Sequence, residues 1–370
     1  MADTTVSSDL NVEQWADDEF YEYVRANQFA FLMGSTQNSV IQVKEELTKD
    51  AGDQLTFSLV SRLTGDGVEG DNALAGNEEA LGNSGCKVTV NQLRHGVVVG
   101  QFEKIKTKLD LLNAAKTMLK LWNMEKLRNL FIARLLSPCT DGLTTYSAAT
   151  EVQKDAWCAA NNPSVGNERI LFGASKANYS GDHSADLLKI DGTADDAHQS
   201  IIRLLKRLAQ AASPSVRPVV VPSSSESVGG ERYYALMGSL PYRDLQANFE
   251  TVLSNADVRG DQNKIFTGDS IKVGNVICIE IPEMDRTPAN GGCLLENVGD
   301  SATTEVEPIF LVGAQALLMA WAARTSFKTD DWDYQNKRGV AVAEIRGCRK
   351  ATFNSFQHGL VTGYVSAVGD

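Results

Sequence analysis

A chain of 370 residues, 43% hydrophobic and 22% charged, is long enough for two or three compact units and has the make-up of an ordinary globular protein. Its net charge of −12 argues against a protein that grips nucleic acid through phosphates, and no apolar run is long enough to span a bilayer. The six cysteines, at 86, 139, 158, 278, 293 and 348, form no CxxC pair, so free thiols are expected in place of a disulfide framework or a zinc site.

Met1–Asn27 is polar and acidic, with Asp17, Asp18 and Glu19 in a row, and reads as an arm and not a core element. It has neither the basic start nor the apolar stretch of a signal peptide. Phe29–Leu47 carries enough apolar residues for a short helix or a docking segment. Leu55–Leu63 and Lys87–Val99 alternate as strands do. Between them, Thr64–Gly85 holds six glycines, five acids and almost no large side chain. Two strands joined by so long a tip make a protruding ribbon, and a loop without a core of its own is usually functional or disordered.

Lys104–Leu136 contains neither Pro nor Gly and is rich in strong helix formers, so one helix about 50 Å long is expected, stopped by Pro138. Lys106, Asp110, Asn113, Lys116 and Lys120 form a polar stripe. The same stripe continues as Met124, Leu127, Phe131 and Leu135, so the buried face changes sides near Trp122 and Asn123. The alternative is a pair of shorter helices broken near Asn123.

Further on, Asp191–Ala212 reads as a helix capped by Asp191 or Thr193, with IIRLLKRLAQ as its amphipathic body. Arg217–Val221, Arg232–Met237 and Asn275–Ile281 read as strands, with a Ser- and Gly-rich loop over Pro222–Gly230. Leu240–Ser254 reads as a helix. Phe310–Arg324 is apolar nearly all round and is expected to be a buried helix. Gly339–Ile345, Ala351–Asn354 and Leu360–Ala367 are candidate strands of a C-terminal sheet.

The motifs carry little chemistry. Gly65–Gly70 spells G-x-G-x-x-G after a strand, but no helix opens behind it, and Asp66, Glu69, Asp71, Glu78 and Glu79 would repel phosphate. Those acids leave one alternative open, a soluble metal-dependent enzyme with its site in the acidic Gly-rich loops, although the spacing is not that of an EF-hand. His183 and His198 flank Asp191, Asp195 and Asp196, which reads as a solvated acidic loop. Cys158 beside Trp157 reads as a structural cysteine. No catalytic constellation emerges, and no cofactor or metal is expected.

The order of parts, together with GDGVEGDNALAGNEEAL (Gly65–Leu81), QLRHGVVVG (Gln92–Gly100), VRPVVV (Val216–Val221), KIFTGDSIKVGNVICIE (Lys264–Glu280), FLVGAQALLMAWA (Phe310–Ala322) and WDYQNKRGVAVAEIRGCRKATFNSFQHG (Trp332–Gly359), resembles the N4-like major capsid proteins of tailed double-stranded DNA phages. The resemblance implies an α+β chain with the Hong-Kong-97-like (Johnson) capsid fold. Its expected parts are an N-terminal arm (1–47), an extended β-ribbon loop (48–103) and the spine helix of the peripheral domain (104–140). An axial domain (141–305) follows, then a buried helix and C-terminal strands (306–370). It implies a structural protein and not an enzyme, assembling as pentamers and hexamers into an icosahedral shell around packaged DNA, without sequence-specific DNA binding and without a membrane. Scaffolding and portal proteins are implied partners, with a cement or decoration protein as a further candidate. The implied place is the virion, after assembly in the bacterial host cytoplasm. The tip residues Gly65, Asp66, Gly67, Glu69, Gly70, Asp71, Asn77, Glu78 and Glu79 become candidates for contact with a neighbouring subunit. Trp122, Met124, Leu127, Phe131 and Leu135 become candidates for spine packing. Some shells of this fold are locked by bonds between lysine and asparagine. Thr64–Gly85 offers Asn72, Asn77 and Asn83 but no lysine, so a non-covalent shell is expected.

Overall fold

The computed structural model describes residues 25, 27–48, 52–107, 110–221, 230–254 and 271–369. The arm expected over Met1–Asn27 lies outside the described residues except for Arg25 and Asn27, as does the loop over Pro222–Gly230 except for Gly230. In chain order the elements are β1 (Met33–Gly34), β2 (Ile41–Lys44), β3 (Gln54–Val60), β4 (Asn83–Thr89), β5 (Asn91–Gly100), α1 (Gln101–Lys106) and α2 (Leu111–Leu136). Next come α3 (Glu151–Asn161), β6 (Ile170–Phe172), α4 (His183–Leu187), α5 (Gln199–Ala211), β7 (Val219–Val220), β8 (Glu231–Met237) and α6 (Ser239–Ser254). The chain closes with β9 (Lys272–Val273), β10 (Val276–Glu280), β11 (Val306–Val312), β12 (Leu317–Trp332), β13 (Lys337–Lys350), β14 (Thr352–Phe353), β15 (Phe356–Gln357) and β16 (Leu360–Ser366). Mixed helix and strand in this order is an α+β chain.

The chain divides into two compact units. One contains Gln92–Lys126 and Thr325–Glu344; the other contains Gln28–Asn91, Leu127–Arg324 and Ile345–Asp370. Helix α2 and strands β12 and β13 each supply one end to each unit.

The larger unit is built on a mixed sheet ordered β6-β16-β11-β8-β10-β9, with β7 added on β8. Successive residues of β11 point to opposite faces. Ile309 and Leu311 meet the apolar stripe of α5, formed by Ile201, Ile202, Leu205 and Leu208. Phe310 and Val312 join the cluster that holds Phe131, Ile132 and Leu135 of α2. Because both faces are covered, every residue of β11 is buried. This corrects the helix expected over Phe310–Arg324, which is instead the end of β11, a turn and the start of β12. A strand buried on both faces is as uniformly apolar as a buried helix, so periodicity does not separate them. Gly313 marks the turn, since a Cβ there would strike the Arg217 carbonyl.

Helix α5 begins at Gln199, eight residues later than expected from Asp191. The acids that suggested a cap serve the preceding loop. Asp191 accepts from the Thr193 amide at 2.8 Å, and the buried Asp195 accepts from the amides of Ala174 at 2.6 Å and Asp191 at 2.9 Å. Short acidic side chains compete in this way with helix nucleation. His183 is buried and not solvated, inside rings of Tyr146, Trp157, Phe172 and Tyr364, and burial lowers its pKa to about 4.

Helix α3 starts on a complete capping box: the Gln153 amide donates to Thr150 Oγ1 and the Thr150 amide to Gln153 Oε1. It delivers Trp157 and Cys158 into a core with Phe172, Leu187 and Tyr364. Thr150→Ala is expected to cost about 1 kcal/mol, read as a shift of the urea midpoint at unchanged slope. All six cysteines are buried and free.

The long helix is shorter than expected. Thr107 is extended and ends α1, and Asp110 restarts the chain as α2 by accepting from the Asn113 amide at 3.3 Å. The 26 residues of α2 run on without a break at Asn123. Asn123 instead donates to Glu344 at 3.0 Å within the smaller unit, where Thr325 donates to the same carboxylate oxygen.

Candidate intersubunit surface

Strands β3 and β4 pair antiparallel from Gln54↔Thr89 to Val60↔Asn83. Alternation divides this ribbon at its root. Leu55, Phe57, Cys86 and Val88 are buried against Leu318, Ala320, Ala351 and Phe353, while the residues between them face outward. Beyond Val60 the chain has no core, and the tip is held by its own polar groups. The Glu79 carboxylate accepts from the amides of Thr64 at 2.8 Å and Gly65 at 2.7 Å, closing the two sides of the loop. Those two amides hold its pKa below the usual carboxylate value. Glu78 accepts from the Gly76 amide, Asn77 donates to the Ala73 carbonyl, and Asn72 donates to the Glu69 carbonyl. Gly67, Gly70 and Gly76 adopt positive φ in open space, which a side chain would resist.

All nine tip residues singled out in the sequence, Gly65, Asp66, Gly67, Glu69, Gly70, Asp71, Asn77, Glu78 and Glu79, are exposed. The structure draws Gly65 and Glu79 together and spends Glu78 and Asn77 on the loop itself. Asp66, Glu69 and Asp71 stand outward. Sequence reasoning overlooked the apolar part of this surface. Val60, Leu63, Leu74 and Leu81 are 59–61% exposed, large side chains displayed along one projecting ribbon. They are scattered singly among glycines and acids, which hid them.

The spine candidates lie on α2. In the smaller unit Leu119, Leu112 and Trp122 pack on Val340 and Val342, and Trp122 lies 4.5 Å from the His95 ring. Met124, also in the smaller unit, is half-buried; in the larger unit Phe131 and Leu135 are fully buried and Leu127 packs beside them half-buried. Lys116 and Lys120 are exposed. Cys158 is sealed in the core, and burial raises its pKa. Among the described residues no group of three or more His, Cys, Asp or Glu is arranged to hold a metal ion, and no helix is long and apolar enough to cross a membrane.

A family model described as phage capsid protein matches residues 3–363. The major capsid protein of Pseudomonas phage KPP25 is 25% identical over 366 residues, covering 94% of this chain and 93% of the relative. Among solved structures, the cyanophage Pam1 capsid asymmetric unit superposes with a TM-score of 0.88 at 31% identity, over 100% of both chains. The capsid of Ralstonia phage GP4 superposes with a TM-score of 0.72 at 21% identity, over 100% of this chain and 99% of that one, a likeness of fold. With the family model running over nearly its whole length and an α+β architecture shared with phage capsids, this chain belongs to the phage capsid protein family.

Proposed function

We propose that this chain is the major capsid protein of a phage, a structural subunit that repeats the same self-contacts to close an icosahedral shell of pentamers and hexamers around packaged double-stranded DNA. The ribbon is the observation that carries the reading. A projecting tip braced only on itself, with four large apolar side chains in solvent, serves no purpose in an isolated monomer and fits one that is covered by a neighbouring copy. In this reading Asp66, Glu69 and Asp71 touch the neighbour beside those apolar residues, and Glu78 and Glu79 shape the tip. The seven-stranded sheet belongs to the axial domain, and α2 with the β12–β13 hairpin to the peripheral domain. Scaffolding and portal proteins assist assembly in the host cytoplasm, a decoration protein is a further candidate partner, and an acidic wall lets DNA fill the shell without adsorbing to it. A metal-dependent enzyme draws no support from the tip, whose two best-placed acids, Glu78 and Glu79, are engaged with backbone amides.

Expression with a scaffolding protein and negative-stain microscopy test the proposal. Closed particles are expected, and a small defined oligomer under all conditions would overturn it. Boiled in denaturant, the particles should run as one band at monomer mass, because 64–85 contains no lysine to form a bond with a neighbour's asparagine. A ladder that survives reductant would refute the non-covalent shell and point to Lys87.

A further inference from the structure

Where β8 ends and α6 begins, a buried carboxyl group, Glu307, meets a half-buried one, Asp285. Glu307 lies on β11 opposite Val365 of β16 and is fully buried. Asp285 closes the short helical turn Pro282–Asp285. A Cβ added to Gly238, the residue between β8 and α6, would collide with Asp285 Oδ1 and Glu307 Oε1 together, so both carboxyls press on the same spot. Asp285 has donors: the Ser239 amide at 2.7 Å and the Ser239 hydroxyl, at the α6 N-terminus, where negative charge is favoured. Glu307 is less well served: the Gly238 amide is directed at it, which offsets only part of what raises its pKa. Taken as a carboxylate, neither of its oxygens finds a donor in ordinary geometry.

Among the described residues neither carboxyl forms an ion pair, and the nearest buried cations are engaged elsewhere. Arg128 forms a buried ion pair with Glu283 at 3.0 Å. Lys350 donates to the Ser137 carbonyl at 2.8 Å. Cys293 is a buried thiol, its pKa pushed up by burial. A buried carboxylate against a half-buried one is repelled and poorly solvated. A single proton removes the conflict, because a neutral Glu307 becomes a donor and Asp285 its acceptor. In keeping with this, burial and then Asp285 raise the Glu307 pKa well above its ordinary value, and burial raises that of Asp285.

We propose that Glu307 and Asp285 share one proton, a latch that ties central strand β11 to the start of α6 and is undone in alkali. The sign follows from linkage. Below the ordinary glutamate value both folded and unfolded chains hold the proton and the pair costs nothing. Above it the unfolded chain releases the proton while the folded chain keeps it, so stability falls with rising pH until the folded group also ionises.

The test is thermal unfolding of the full chain from about pH 6 to pH 9, with infrared spectra in heavy water at neutral pH. Wild type is expected to lose melting temperature across this range and to show the carbonyl stretch of an un-ionised carboxyl. Glu307→Gln, which can still donate to Asp285, is expected to flatten the profile and remove the band. Asp285→Asn keeps an acceptor for Ser239, strips one charge, and is expected to flatten the profile as well. Should Glu307→Gln fail to fold, the wild-type spectrum and Asp285→Asn still decide. Parallel pH profiles in wild type and the variants, or no un-ionised carboxyl band in wild type, would overturn the latch.

Discussion

Phe131→Asp is expected to abolish the cooperative unfolding transition, while Lys116→Asp or Lys120→Asp leaves it nearly in place. Phe131 is fully buried, and its ring meets Phe29 edge-on at 5.5 Å within the cluster that also holds Leu32, Ile132 and Leu135. Truncating such a ring to Ala costs about 3–5 kcal/mol. An aspartate adds the cost of a charge among apolar side chains that cannot pair with it. Against a total stability of about 5–15 kcal/mol, that sum leaves little or nothing. Lys116 and Lys120 are exposed on the same helix, so a substitution there costs about 0.5–1 kcal/mol, chiefly in helix propensity. Leu127→Asp, at a half-buried position, should fall between. Urea unfolding of soluble variants checks the ranking, and equal damage at 116 and 131 would mean that burial along α2 does not govern its stability.

Replacing 64–81 by a short Gly-containing turn is expected to leave the melting temperature almost unchanged and to eliminate closed particles. The root of the ribbon stays intact, because Leu55, Phe57, Cys86 and Val88 keep their packing on Leu318 and Phe353. The excised residues contribute no core, and shortening the loop slightly lowers its closure entropy. What is lost is the surface displayed by Leu74 and Leu81 beside Asp66, Glu69 and Asp71. Circular dichroism reports the fold and electron microscopy the assembly. Particles of normal size from the shortened chain would exclude the tip as a contact.

Much of this architecture is legible in sequence where a local signal is strong. Alternation placed β3 within a residue or two at one end, Pro241 marked the start of α6, and short apolar or aromatic runs placed β8 and β10. The failures have physical causes. β11 and the first five residues of β12 are covered on both faces, so their composition is that of a buried helix. The break between α1 and α2 rests on one aspartate, Asp110, inside a stretch of good helix formers. At the candidate site the acidic tip was visible, but the brace from Glu79 to Thr64 and Gly65 spans a loop with no periodicity to announce it. The meeting of Glu307 with Asp285 is a consequence of strand order, which composition and spacing do not encode.

The sealing of all six thiols makes the subunit chemically quiet. Alkylation and disulfide exchange proceed through the thiolate. Burial pushes Cys278 and Cys348 up to about 12, and raises Cys139, Cys158 and Cys293 as well. A maleimide added to the native chain therefore finds almost nothing to react with, and its slow uptake becomes a stopwatch for transient opening of the core. The same silence makes the chain a clean carrier for one introduced cysteine. Placed at an outward tip position such as Asp66, that single thiol would take a label alone, and its protection would register the moment a neighbour arrives.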